Sequence, residues 1–117
     1  MPNTVKLYHN PRCSKSRQTL TLLEDNAINP EVILYLQKPL SADRIKALLL
    51  KLDIPARDLL RKGEETYKTL GLKDPSLNDQ ELINAMSEHP ILIERPIVET
   101  EESARIGRPP KNILDIL

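Results

Sequence analysis

Within its first 36 residues the chain reads as strand, helix and strand, and that order limits the available folds more than any other feature. Val5-Lys6-Leu7-Tyr8-His9 alternates apolar and polar side chains as a strand does, and Asn10-Pro11 follows as a turn. A helix is predicted from Ser14 to Asn26, carrying Leu20, Leu23 and Ala27 at helical spacing, with Asn29-Pro30 to end it. Glu31 to Leu36 then reads as a buried strand. Two strands joined by one helix of this length pair in parallel through a right-handed crossover.

The middle of the chain is helical. Ser41 is a suitable N-cap for a helix whose Ile45, Leu48, Leu49 and Leu52 share one face. Pro55 suits the first turn of a short helix running through Leu59-Leu60-Arg61, and Gly71 breaks the segment that follows Tyr67. Asn78 with Glu81 forms a capping box for a helix that buries Leu82, Ile83 and Met86 and stops before Pro90. Beyond it, Ile97-Val98-Glu99 and Ala104-Arg105-Ile106 flank an acidic turn and predict an antiparallel hairpin. A terminal helix over Asn112 to Leu117 must dock on the sheet to be stable, with Ile113, Ile116 and Leu117 on one side. The order is βαβ, helices, ββα. With no repeat, low-complexity tract or flexible linker, residues 1–117 read as one α/β domain.

Composition narrows the function. Lysine plus arginine equals aspartate plus glutamate at 17 each, so the net positive field of a nucleic-acid binder is missing. Three tyrosines are the only aromatic residues, which leaves no platform for base stacking. No apolar run approaches the ~20 residues of a membrane span, and Met1-Pro2-Asn3-Thr4 begins no apolar signal segment, so a cytoplasmic setting without membrane partners is expected. A single cysteine, Cys13, excludes an internal disulfide.

Cys13 falls where the first strand gives way to a helix, in His9-Asn10-Pro11-Arg12-Cys13-Ser14-Lys15-Ser16-Arg17. Free N–H groups and the positive end of a helix dipole stabilise a thiolate at such a position, and Arg12, Lys15, Arg17 and His9 add positive charge. A cysteine between charged residues after a proline turn is poorly placed for an apolar core, so it reads as a nucleophile. Several cysteine chemistries fail on spacing. A phosphatase loop needs an arginine six residues after its cysteine, where this chain has Thr19; a Cys-x-x-Cys dithiol would need a second cysteine at Ser16. A resolving thiol must therefore come from outside, as from glutathione. His9 and His89 are too far apart in sequence, and too few, to suggest a metal site.

Three arginines stand at the edges of apolar elements: Arg61, Arg95 and Arg108. The last two precede prolines, which hold their backbone extended. A guanidinium offers a rigid fork of donors for a tetrahedral oxyanion, a better match than for an acyl substrate of a papain-like hydrolase. Arg44, Arg57 and Arg105 read as solvated surface charges.

The segments Tyr8-His9-Asn10-Pro11-x-Cys13-x-x-Ser16-Arg17, Leu60-Arg61-Lys62, Ile93-x-Arg95-Pro96-Ile97-Val98 and Arg108-Pro109 together resemble the ArsC-type, glutaredoxin-coupled arsenate reductases over essentially the whole chain. The resemblance implies a thioredoxin-like (glutaredoxin-like) mixed sheet with an inserted helical block. It implies that Cys13 attacks arsenate, that glutathione is the co-substrate with no tightly bound cofactor, and that glutaredoxin completes reduction to arsenite. Arg61, Arg95 and Arg108 would hold the oxyanion. His9 would favour the thiolate electrostatically, Ser16 would donate a hydrogen bond to it, and Arg17 would add charge. Arg95-Pro96 matches the place where thioredoxin-like folds carry a cis-proline. Two other readings share this fold: a glutathione-linked thiol oxidoreductase acting on another substrate, and a regulatory binding module like the Spx proteins, although Ser16 rules out a dithiol switch.

Overall fold

A computed structural model describes residues 4–117; the expected lack of a signal segment at Met1-Pro2-Asn3 lies outside the described residues. The structure divides into two compact units, one comprising the chain up to Lys38 together with Arg95–Leu117, the other Pro39–Glu94. The second is the helical block predicted between the two β-containing ends.

The first unit carries β1 (Lys6–Tyr8), α1 (Ser14–Asp25), β2 (Glu31–Ile33), β3 (Ile97–Glu99) and β4 (Ala104–Ile106). They form one four-stranded sheet in the order β2-β1-β3-β4. β1 pairs in parallel with β2, Leu7 opposite Val32, and antiparallel with β3, Leu7 opposite Val98. β3 and β4 form the predicted hairpin. This mixed sheet with its helices is a thioredoxin-like α/β fold. One face is covered by a cluster of Val5, Leu7, Leu23, Val98 and Ile113, with Leu20, Leu22, Ile28 and Ile116 packed around it. Glu99 is also buried, and its carboxylate accepts a 2.7 Å hydrogen bond from the Tyr8 hydroxyl on the neighbouring strand.

Several boundaries differ from expectation. The second strand ends at Ile33, because the Leu34 carbonyl turns to accept the N–H groups of Gln37 and Lys38. It is one of the two edge strands and is not buried: Val32 is exposed, and of the following residues only Tyr35 is enclosed. A strand with one neighbour has a flank for solvent, whatever its hydrophobicity.

The first helix stops at Asp25. Ala27 takes a left-handed φ of 60° while its N–H reaches Glu24 O and that of Ile28 reaches Leu23 O. This is a Schellman termination with alanine where glycine is usual. The terminal helix is 3₁₀, Pro110–Ile116. At three residues per turn Ile113 and Ile116 align inward, and Leu117 is rotated out to solvent.

In the second unit, α2 (Ala42–Leu52) is capped by Ser41, whose hydroxyl accepts from Arg44 N, and buries Ile45, Leu48, Leu49 and Leu52. It packs on α5 (Asp79–Glu88), whose Asn78/Glu81 capping box is formed as predicted. Such caps each contribute about 1 kcal/mol. Between them lie α3 (Ala56–Leu59) and α4 (Glu65–Thr69). The short helix thus ends before Leu60, which is extended and bridges to Ile93. Arg57 is not a solvated charge: it is half-buried and donates to the carbonyls of Leu72 at 2.8 Å and Asp74 at 2.9 Å. No helix of the described residues is long and apolar enough to cross a membrane.

Candidate active site

The turn after β1 is built by Asn10. Its carbonyl accepts the Cys13 N–H at 2.9 Å, with Pro11 presetting the first turn position, and its side-chain oxygen accepts the Arg12 N–H at 3.0 Å. The chain then enters α1 with Cys13 as N-cap residue in an extended conformation, its carbonyl accepting Arg17 N. The thiol therefore sits where the helix has no intrahelical acceptors for its first N–H groups. Cys13 is buried, with 8% of its surface exposed.

Arg108 reaches this sulfur. Its Nη2 lies 3.6 Å from Cys13 Sγ, and its Nε donates to the Arg95 carbonyl at 2.7 Å. The peptide bonds Arg95-Pro96 and Arg108-Pro109 are both cis; the first is the position singled out in the sequence, the second carried no signal there. Arg95 is half-buried, with Nε and Nη1 shielded from solvent. The first unit thus brings Cys13 and Arg108 together, with Arg108 anchored on Arg95.

Arg61 belongs to the second unit. Its guanidinium is held by Glu64 and by Glu94, the latter at 3.6 Å, and its N–H donates to Leu92 O. Neither carboxylate was read from the sequence: Glu64, at i+3, carried a local spacing signal that could have found it, whereas Glu94 is 33 positions away and carried none.

His9, Ser16 and Arg17 take positions that differ from their expected roles. His9 continues β1, donating its N–H to Ile33 O, and its Nδ1 lies 2.6 Å from Ser16 Oγ. Ser16 is fully buried; its hydroxyl also accepts the Asn10 N–H at 3.1 Å, and no hydrogen bond joins it to Cys13 among the described residues. Burial, and secondarily the charge of Arg17, hold the His9 pKa below 6.5. This direction disfavours an imidazolium at His9 and so runs against its expected electrostatic role beside the thiol. Together Ser16 and His9 tie the start of α1 to the end of β1. Arg17 is exposed and donates from Nη1 to Pro11 O at 3.0 Å, bracing the turn that carries Cys13.

A depressed histidine pKa has a definite sign for stability. Well above 6.5 the ring is neutral in the folded and the unfolded chain alike. Below it the unfolded chain takes up a proton that the folded chain refuses, so stability is lost as pH falls toward the folded value. Urea unfolding at about pH 7 and about pH 5.5 should show the wild type losing more stability than His9→Gln over that interval. Equal losses would refute the buried neutral ring.

Gly107, overlooked in the sequence, sets the approach of Arg108. A Cβ there would lie 2.6 Å from Thr19 Oγ1 and 2.8 Å from Pro96 Cγ, and the Gly107 N–H donates to Pro96 O at 2.9 Å. Thr19 is fully buried on α1, so no flexible side-chain end is available to yield. Gly107→Ala should destabilise the protein by about 1–3 kcal/mol through overpacking, read by chemical denaturation. A change below about 0.5 kcal/mol would show that the contact relaxes freely.

Among the described residues no group of three or more His, Cys, Asp or Glu is placed to hold a metal ion. Strand order and a cysteine at the N-cap of the helix that leaves β1 place the protein among thioredoxin-like chains with a single free thiol at that position. The sequence model of the ArsC family matches residues 8–116, and the chain belongs to the ArsC family. It is 52% identical to the Escherichia coli (strain K12) protein called Uncharacterized protein YfgD, over all of this chain and 99% of that one. It is 49% identical to the arsenate reductase of Haemophilus influenzae over 97% of this chain and 99% of the relative. The solved structure titled arsenate reductase from Vibrio cholerae superposes with a TM-score of 0.97 at 49% identity, covering 100% of both chains.

Proposed function

We propose that this protein is an arsenate reductase that uses Cys13 as nucleophile, with glutathione and glutaredoxin as electron donors. The observation that carries the reading is the pairing of an N-cap thiol with the Arg108 guanidinium 3.6 Å away, which sets a nucleophile beside a cation suited to an oxyanion. Full-length relatives named arsenate reductase support the choice of oxyanion.

In this reading the Cys13 thiolate forms a sulfur–arsenic bond with loss of water from protonated arsenate. Glutathione then adds its thiol to the arsenic of that thioester-like adduct with loss of a second water. A glutaredoxin thiolate takes the glutathione sulfur as a mixed disulfide, and the electron pair of the broken arsenic–sulfur bond stays on arsenic, reducing As(V) to As(III). Hydrolysis of the remaining bond releases arsenite and Cys13. Arg108 and Arg95 hold the oxyanion and stabilise its developing charge. The family resemblance gives Arg61 a share in holding the oxyanion; within its own unit its guanidinium is engaged by Glu64 and Glu94. Arg17 adds positive charge to the thiolate's surroundings, while His9 and Ser16 position the start of the helix.

The test is arsenate-dependent NADPH oxidation in a coupled assay with glutathione, glutathione reductase and glutaredoxin. Turnover that requires all three components is the expected result. No arsenate-dependent rate above background would overturn the reading.

A further inference from the structure

The second unit holds a concavity of about 700 Å³ lined by Arg57, Lys62, Tyr67, Lys68, Gly71 and Lys73. Four of these six residues are cationic and none is acidic. Of the acids close in sequence, Glu64 engages Arg61, and the Asp74 carboxylate, which lies within reach of the Arg57 charge, accepts the N–H and hydroxyl of Ser76 at 2.9 and 2.8 Å. Lys62, Lys68 and Lys73 are exposed and make no ion pair among the described residues. Arg57 is fixed instead by the carbonyls of Leu72 and Asp74, which holds the loop after Gly71, at φ +64°, against α3 as a preformed wall.

We propose that this concavity is a binding site for a small phosphate ester bearing at least two negative charges and an organic group. Like charges gathered round a concave surface repel one another and focus a positive potential into it, and an anion relieves both effects. The volume falls within the ~300–1,000 Å³ typical of small-molecule sites. Lysine ammonium groups bind phosphate as mobile point charges, and their stems, with the largely buried Tyr67 ring, supply an apolar floor that a bare inorganic anion would not use.

ADP serves as the probe, with adenosine and pyrophosphate as its two halves, titrated into the ¹⁵N-labelled full-length protein at about 0.15 M salt. Saturable amide shifts centred on Lys62, Gly71 and Lys73 are expected, with no binding of adenosine. Calorimetry should show Lys68→Gln/Lys73→Gln weakening ADP at least about tenfold, while an unchanged melting temperature shows the variant folded. Three results would each overturn the proposal: shifts centred on Cys13 and Arg108, the same affinity in the double variant, or pyrophosphate binding as tightly as ADP.

Discussion

Cys13→Ser is expected to reduce arsenate turnover to background, a fall of at least about 1,000-fold, while leaving the fold intact. The substitution is nearly isosteric, and serine is a favoured N-cap residue, so the start of α1 should be as stable or more so. What disappears is the nucleophile. A serine hydroxyl is not ionised near neutral pH, and no base contacts this position: the His9 Nδ1 is engaged with Ser16. In the proposed mechanism the sulfur–arsenic bond, on which every later electron transfer depends, is then never made. The measurement is the coupled NADPH assay on matched wild type and variant, with far-UV circular dichroism to verify the fold. Retention of most of the rate would remove Cys13 from the mechanism and, with it, the reading of the N-cap as the reactive centre.

Arg108→Ala should lower kcat/KM for arsenate by about 100- to 1,000-fold, the range for losing one fixed donor to developing negative charge. Arg108 is anchored through Nε to the Arg95 carbonyl, which leaves Nη2 directed at the sulfur. Its cost of ordering is therefore met before substrate arrives. Because the side chain is largely exposed, its removal should change stability little, so a large loss of rate reports on the site rather than the fold. Arg108→Lys restores the charge without the planar fork and should recover only part of the rate. In a second readout, arsenate should protect Cys13 from iodoacetamide in the wild type and fail to do so in Arg108→Ala. Normal turnover together with normal protection would mean that the oxyanion sits elsewhere.

Most of the architecture was legible because it rests on short-range rules. The alternation in Val5–His9, the cap at Ser41, the Asn78/Glu81 capping box and the Ile97–Ile106 hairpin all depend on residues a few positions apart, and all are present. The errors fall where burial by distant elements decides the outcome. An apolar run from Val32 to Leu36 looks the same whether it ends as a central or an edge strand. The number of neighbours is set by β1 and β3, on whose far side no sequence pattern within β2 can report. Likewise, the i, i+3 spacing of Ile113 and Ile116 is common to α and 3₁₀ helices, and docking on the sheet selects the tighter winding.

The same division runs through the site. Sequence by itself singled out the candidate nucleophile, since only one thiol exists and the turn at Asn10-Pro11 puts it at a helix N-terminus by local geometry. It also marked Arg95 and Arg108 through the prolines that follow them. Only the tertiary structure decided what these groups touch. The hairpin carries Arg108 across 95 positions of chain to Cys13, the missing Cβ of Gly107 lets the backbone before Arg108 pack on Thr19 and Pro96, and burial lowers the His9 pKa while its Nδ1 meets Ser16. Arg61 acquires Glu94 in the same way, while Glu64 is a local partner three residues on. The physical reason is common to all of them: a residue's type and its near neighbours set its chemistry, but its solvation and its charged partners are properties of the packed chain.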